Sequence, residues 1–253
     1  MQRLKCGVQL YTLRKYTKQV DNIPEVFRRV KALGAETVQV SAMCPIDAEI
    51  LNSIARDNAL NICCTHSPFN RIKDDLYKLA EEHLIYGCKI IGLGSVPSVY
   101  KENNYQRFNE FLDVMNHSAE TLKQYGMKLA YHNHNFEFKK LNDKRIYDIL
   151  IENTEDVNFI LDTYWLRVAG VSIIDYIKKL SNRLPVLHLK DYKKKFFLPL
   201  MCELGRGELN FIDILKAAEN SNSEYAVIEQ DISINPYKSL EISMDYLKKN
   251  YMK

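Results

Sequence analysis

No run of apolar residues in this sequence approaches the ~20 needed to cross a bilayer. The opening stretch, MQRLKCGVQLYTLR, has neither an apolar h-region nor a small-residue cleavage site, so no secretory signal is expected and the protein reads as cytoplasmic. Charge of one sign is scarce as well: 35 Lys and Arg against 32 Asp and Glu leave +3. That surplus is too mild to imply a nucleic-acid or membrane partner. Among the six cysteines there is no CxxC pair, which removes support for a zinc ribbon or a thioredoxin-like redox motif. Cys6, Cys63, Cys64 and Cys88 fall in apolar runs and are expected to pack, while Cys44 and Cys202 fall in loops. Adjacent Cys63 and Cys64 are expected on opposite faces of one strand. No GxGxxG follows the first apolar run, so a dinucleotide-binding sheet has no support either.

What is present is an alternation. The chain has 253 residues, 46% hydrophobic and 26% charged, the balance of a globular protein with a sizeable core. Short apolar runs are expected as strands over 4–11, 37–42, 61–67, 89–95, 128–134, 157–163, 184–191 and 225–231. Each is followed by apolar residues at helical spacing, over 23–34, 46–59, 72–87, 104–126, 145–154, 172–183, 211–221 and 237–250. Near-continuous apolar strands are those of a parallel sheet covered on both faces. Eight strand–helix units predict an α/β fold, a single (β/α)8 TIM barrel occupying residues 1–253 as one domain.

In such a barrel, chemistry sits where the strands end. Four of the six histidines fall there: His66 in CCTHSPF, His132 and His134 in YHNHNFEF, and His188 in HLKD. Asp162 in LDTYW and Glu229 in VIEQD also close strands, and Glu137 follows the fifth. His83 and His117 lie in helical patterns. Asp162, His188 and Glu229, leaving strands six, seven and eight, are expected to converge. Two carboxylates and an imidazole brought together this way call for a cation, and mixed O and N donors suit Mn, Mg, Co, Fe or Zn.

The ordered set GVQLYTLR, YHNHNFEF, LDTYW, HLKD, GRGELNF and VIEQD resembles the xylose isomerase-like TIM-barrel family of sugar isomerases and epimerases, over essentially the whole chain. The resemblance implies one divalent metal, Mn first among the candidates, held from strands five to eight. In the family's ketose 3-epimerases the ligands are Glu, Asp, His and Glu. Asp162, His188 and Glu229 match the last three places, and the strand-five place falls on His132, where the epimerases have Glu. Either His132 takes that place as ligand or base, or Glu137 reaches back to it. A His-rich strand five is similar to inosose dehydratase-like members, and metal-dependent C-glycoside-cleaving relatives share the design.

The function implied is a metal-dependent sugar isomerase or epimerase acting on a small sugar, keto-sugar or cyclitol through proton abstraction alpha to a carbonyl and a metal-stabilised enediolate. A dehydratase or lyase is the alternative, and a non-catalytic sugar- or metal-binding barrel is the alternative from another class. An endonuclease IV-like repair enzyme fits poorly, having too few histidines and too little positive charge here. Glu229 is the first candidate base, with His132, His134 or Glu137 as its partner and His66 as donor to a hydroxyl. Gln9 and Tyr11 are expected to floor the pocket, and Trp165 to wall it or simply pack. Lys190 is expected to polarise a substrate oxygen, Asp191 to orient a histidine, and Arg206 either to meet substrate or to stay solvated. The KDYKKKFF run reads as a solvated loop or lid edge. Homo-oligomerisation is left open.

Overall fold

A computed structural model of the chain describes residues 3–100, 105–141 and 143–253. Eight parallel strands close on one another in chain order: β1 (Lys5–Gln9), β2 (Thr37–Val40), β3 (Asn61–His66), β4 (Ile90–Leu93), β5 (Lys128–His132), β6 (Asn158–Asp162), β7 (Val186–Leu189) and β8 (Tyr225–Ile228). Closure is made by β1, where Gly7 lies opposite Thr37 of β2 on one side and Val227 of β8 on the other. The expected barrel is therefore present, each strand shorter than its apolar run because the polar end leaves the sheet.

Side chains of successive strand residues point to opposite faces. Ile90, Ala130, Ile160, Val186 and Val227, one per strand, form a compact inner cluster with Cys63 and Cys64. Their neighbours Ile91, Leu129, Phe159, Leu187 and Ala226 join the larger core that the helices cover. The two adjacent cysteines thus share one cluster instead of facing apart. The cause is a register shift: Val38 lies opposite Ile62 and Gln39 opposite Cys64, leaving Cys63 as an extra residue in β3. All six cysteines are free thiols.

The helices follow their apolar stripes. In Ile23–Ala32 the buried residues are Ile23, Val26, Phe27 and Val30, the i, i+3, i+4, i+7 face. Phe27 is fully buried, and truncating it to Ala removes about 3–5 kcal/mol. The expected helix 72–87 is two helices, Phe69–Asp74 and Leu76–Ile85, parted at Asp75, whose backbone leaves the helical region at φ −141 and ψ 34. Arg71 spans that break by pairing with both Asp75 and Glu82. The expected helix 104–126 is Tyr105–Gln124, and Asn104 lies outside the described residues. Among the described residues no helix is long and apolar enough to cross a membrane.

Two features beyond β6 were not legible as patterns. A short helix, Thr163–Val168, precedes Ile173–Lys179, and an antiparallel hairpin, Asp191–Lys195 with Leu198–Cys202, rises from the end of β7. The KKKFF run forms this hairpin and its exposed tip. Asp191, expected beside a histidine, instead braces the hairpin base. Its carboxylate accepts from the backbone N–H groups of Tyr192, Gly205, Gly207 and Leu209. Glycine is required at 207, because a Cβ there would stand 2.3 Å from Asp191 Oδ1.

Candidate metal and active site

Four side chains converge at the C-terminal mouth. His132 and Asp162 are the last residues of β5 and β6, His188 lies opposite Asp162 in β7, and Glu229 directly follows β8. One donor atom from each lies within 4.8 Å of the others, and all four residues are buried. The meeting of Asp162, His188 and Glu229 is the one expected from residue type, and of the two strand-five alternatives, His132 and Glu137, it is His132 that lies with them.

Each imidazole is anchored by its far nitrogen. His132 Nδ1 donates to the Gly94 carbonyl at 3.1 Å, which leaves Nε2 facing Asp162 Oδ2 at 3.4 Å. His188 Nε2 donates to Gln39 Oε1 at 2.7 Å, which leaves Nδ1 facing Glu229 Oε2 at 2.9 Å and Asp162 Oδ2 at 3.8 Å. His188 Nδ1 and Glu229 Oε2 are both buried, and neither has a hydrogen-bond partner. Each ring thus turns its other nitrogen, His132 Nε2 and His188 Nδ1, toward a carboxylate oxygen. Burial, then the neighbouring His188, pushes His132 down to about 4, which keeps it neutral. Anchored imidazoles and carboxylates with their free atoms aimed at one point are a donor set that fits a divalent ion.

Asp162 divides its two oxygens between fold and site. Oδ1 accepts from the N–H groups of Tyr164 and Trp165, capping the helix Thr163–Val168, while Oδ2 faces the cluster. Asn133 fixes its backbone, the side-chain oxygen accepting from Asp162 N.

Lys190 brings a cation to this cluster. Its ammonium, 1% exposed, stands 2.9 Å from each of Asp162 Oδ2, Glu229 Oε2 and Asp231 Oδ2. Burial works against both charges of these pairs, but the mutual attraction wins: Asp162 is held below the usual carboxylate range and Glu229 well below it. The same attraction holds Lys190 above the usual lysine range. Asp231 goes the other way, raised to about 6 by burial and by the nearby Glu229. Asp231 and Gln39 were not singled out from the sequence. VIEQD contained the first, but nothing marked it as a lysine partner.

Above the cluster opens a cavity of about 710 Å³ lined by, among others, Tyr11, His66, His134, Trp165, Lys190 and Glu229. That size suits a small ligand. His66 packs its ring 5.2 Å from His132 and 5.6 Å from His188, and burial holds its pKa well below the ordinary value. Gly94 permits the approach, since a Cβ there would meet His66 Nδ1 at 3.0 Å. Gln9 lies beneath, fully buried, its amide nitrogen 3.5 Å from His66 Nδ1. His134 stacks on Phe136 and leans against Trp165, whose indole N–H has no partner.

Two sequence candidates stand apart. Glu137 is fully buried behind the mouth, accepting from Tyr131 OH at 2.6 Å and His134 N at 2.9 Å, and is not among the four converging donors. Arg206 is exposed beside Glu203, 3.6 Å away, and does not line the cavity. A larger hollow of about 1020 Å³, around Asn116, Asp156 and Arg183, holds none of these groups.

A model of the xylose isomerase-like TIM barrel family matches residues 21–250. An inosose dehydratase from Clostridium perfringens is 26% identical over 171 residues, 57% of this chain and 55% of the relative. The chain therefore spans little more than half the length of that curated relative. Among solved structures, a sugar phosphate isomerase/epimerase from Parabacteroides distasonis superposes with a TM-score of 0.81 at 21% identity, covering 98% of this chain and 94% of the other. An L-ribulose 3-epimerase superposes at 0.74 with 14% identity, covering 100% and 95%. At these identities the structural likeness establishes the fold.

Proposed function

The chain belongs to the xylose isomerase-like TIM-barrel family, and we propose that it is an enzyme that removes a proton alpha to the carbonyl of a small sugar, keto-sugar or cyclitol with the help of one divalent ion. The observation that carries this reading is the pair of anchored imidazoles whose other nitrogens face Asp162 and Glu229. A divalent ion held by His132, Asp162, His188 and Glu229 supplies Lewis acidity to a substrate carbonyl, Mn being the first candidate and Mg, Co, Fe and Zn the others.

The remaining work falls to the chain's own groups. Glu229 lines the cavity and is ionised, which suits it to take the alpha proton. His134, fixed through its backbone N–H by Glu137 and packed on Trp165, stands ready as the acid. His66, neutral because it is buried, offers a hydrogen bond to a substrate hydroxyl. Tyr11 and Trp165 form walls for the apolar face of a ring.

Elimination of a beta hydroxyl suits this set better than epimerisation. An epimerase needs a comparable acid/base on each face of one carbon. Here the strand-five position holds His132, with one nitrogen on Gly94 and the other in the cluster. The unlike pair that lines the cavity, the Glu229 carboxylate and the His134 imidazole, suits the divided labour of base and acid in a dehydration. The inosose dehydratase relatives support the same order. Isomerisation or epimerisation is the second reading, favoured by His134 lining the same cavity as Glu229 and so offering a second acid/base group.

The test is proton NMR of metal-loaded protein with inososes and ketoses in deuterium oxide. Loss of the alpha proton with release of water supports dehydration. Deuterium incorporation without loss of water supports epimerisation. Metal binding with neither event would leave a binding barrel.

A further inference from the structure

The three carboxylates around Lys190 do not hold it in the same way. Asp231 Oδ2 accepts an aligned hydrogen bond from Nζ at 2.9 Å. Asp162 Oδ2 and Glu229 Oε2 lie equally near as ion pairs, and Glu229 Oε2 has no hydrogen-bond partner. Those two atoms are also the ones faced by His132 Nε2 and His188 Nδ1. The ammonium therefore rests on the very oxygens that the imidazoles single out for a metal ion.

Resting on the metal reading above, we propose that Lys190 is a displaceable counter-ion: it neutralises Asp162 and Glu229 while no ion is held, and withdraws onto Asp231 when one is. Two buried carboxylates without a partner are strongly destabilising, so the donor set needs a stand-in cation if the barrel is to fold before it is loaded. A dication at the same two oxygens repels the ammonium beside it. Lysine suits the task because its charge is compact and its stem of four carbons is flexible.

The place of withdrawal is already built. Asp231 is a fifth exposed where Asp162 is not exposed at all. Lys190, Asp231 and Trp165 all line the cavity, and Nζ lies 5.6 Å from the Trp165 ring, within reach of a cation–π contact. Withdrawn there, the ammonium presents its N–H groups to an oxygen of the substrate. Lys190 thus ties substrate recognition to metal loading, and linkage makes the coupling reciprocal.

The experiment is calorimetric titration of metal-free wild type and Lys190→Met with manganese chloride alone, together with the crystal structure of manganese-loaded wild type. Lys190→Met is expected to bind roughly tenfold more tightly or better, within the range of a coupling between sites. In the loaded structure Nζ is expected beyond about 4 Å from Asp162 Oδ2 and Glu229 Oε2, and still on Asp231. Equal or weaker binding by Lys190→Met, or an unmoved Nζ, overturns the proposal and leaves the metal site standing. If neither protein binds manganese, cobalt or zinc, the metal reading falls and takes this one with it. Should Lys190→Met fail to fold, the loaded wild-type structure decides.

Discussion

His188 Nδ1 and Glu229 Oε2 stand 2.9 Å apart, buried and without a hydrogen bond between them. Gln39 produces this relationship from the opposite side of the ring, its Oε1 accepting a hydrogen bond from His188 Nε2 at 2.7 Å. A residue of β2 thus decides which nitrogen of a β7 histidine is free for a ligand.

Asp162→Ala and Asp162→Asn separate the two duties of that carboxylate. Both are expected to lower metal content from near one ion per chain to near zero, read by inductively coupled plasma mass spectrometry. Only Asp162→Ala also uncaps the helix Thr163–Val168, at a cost of about 1 kcal/mol. It should therefore melt below Asp162→Asn.

Glu229→Gln tests the base. At saturating metal, exchange of the alpha proton with solvent is expected to slow by about 10²–10⁴, measured by NMR. A variant that binds metal and turns over at the wild-type rate would show that another group takes the proton.

Glu137→Gln distinguishes a positioning carboxylate from a ligand. Removing the charge that receives Tyr131 OH and His134 N should cost about 1–3 kcal/mol in a urea titration and lower turnover through His134. Metal content should stay unchanged. Its loss would return Glu137 to the ligand set.

His83 supplies a pH dependence of stability away from the mouth. It donates from Nδ1 to the Leu79 carbonyl, Nε2 meets Thr65 Oγ1, and burial pushes its pKa down from the ordinary 6.5 to about 4. The unfolded chain therefore binds the proton first as pH falls. The contribution is complete above pH ~6.5 and is lost progressively towards pH ~4, where the loss has reached about 3 kcal/mol. Urea midpoints across that window should fall less steeply in His83→Gln.

The barrel was readable because each strand is an apolar run and each helix an apolar stripe, patterns that survive without tertiary information. Asp162, His188 and Glu229 were readable because polar groups that are expensive to bury closed such runs. The roles of Lys190 and Asp191 were not. Both sit in HLKD, yet one turns inward to the carboxylates and the other outward to a loop, a choice set by the hairpin that begins there. Cys63 was misplaced for a related reason, since a bulge breaks the alternation on which its facing depends. Gln39 and Asp231 acquire meaning only from partners on other strands.

The four backbone N–H groups gathered by Asp191 bear on how a substrate arrives. One carboxylate riveting both ends of the 191–209 excursion makes it a stiff bracket rather than a hinged flap. Traffic into the cavity is then left to the opposite rim, where Phe69, Val96 and Pro97 follow β3 and β4. Engineering for a bulkier substrate should begin at that doorway, since widening the bracket side would loosen the wall that carries Lys190.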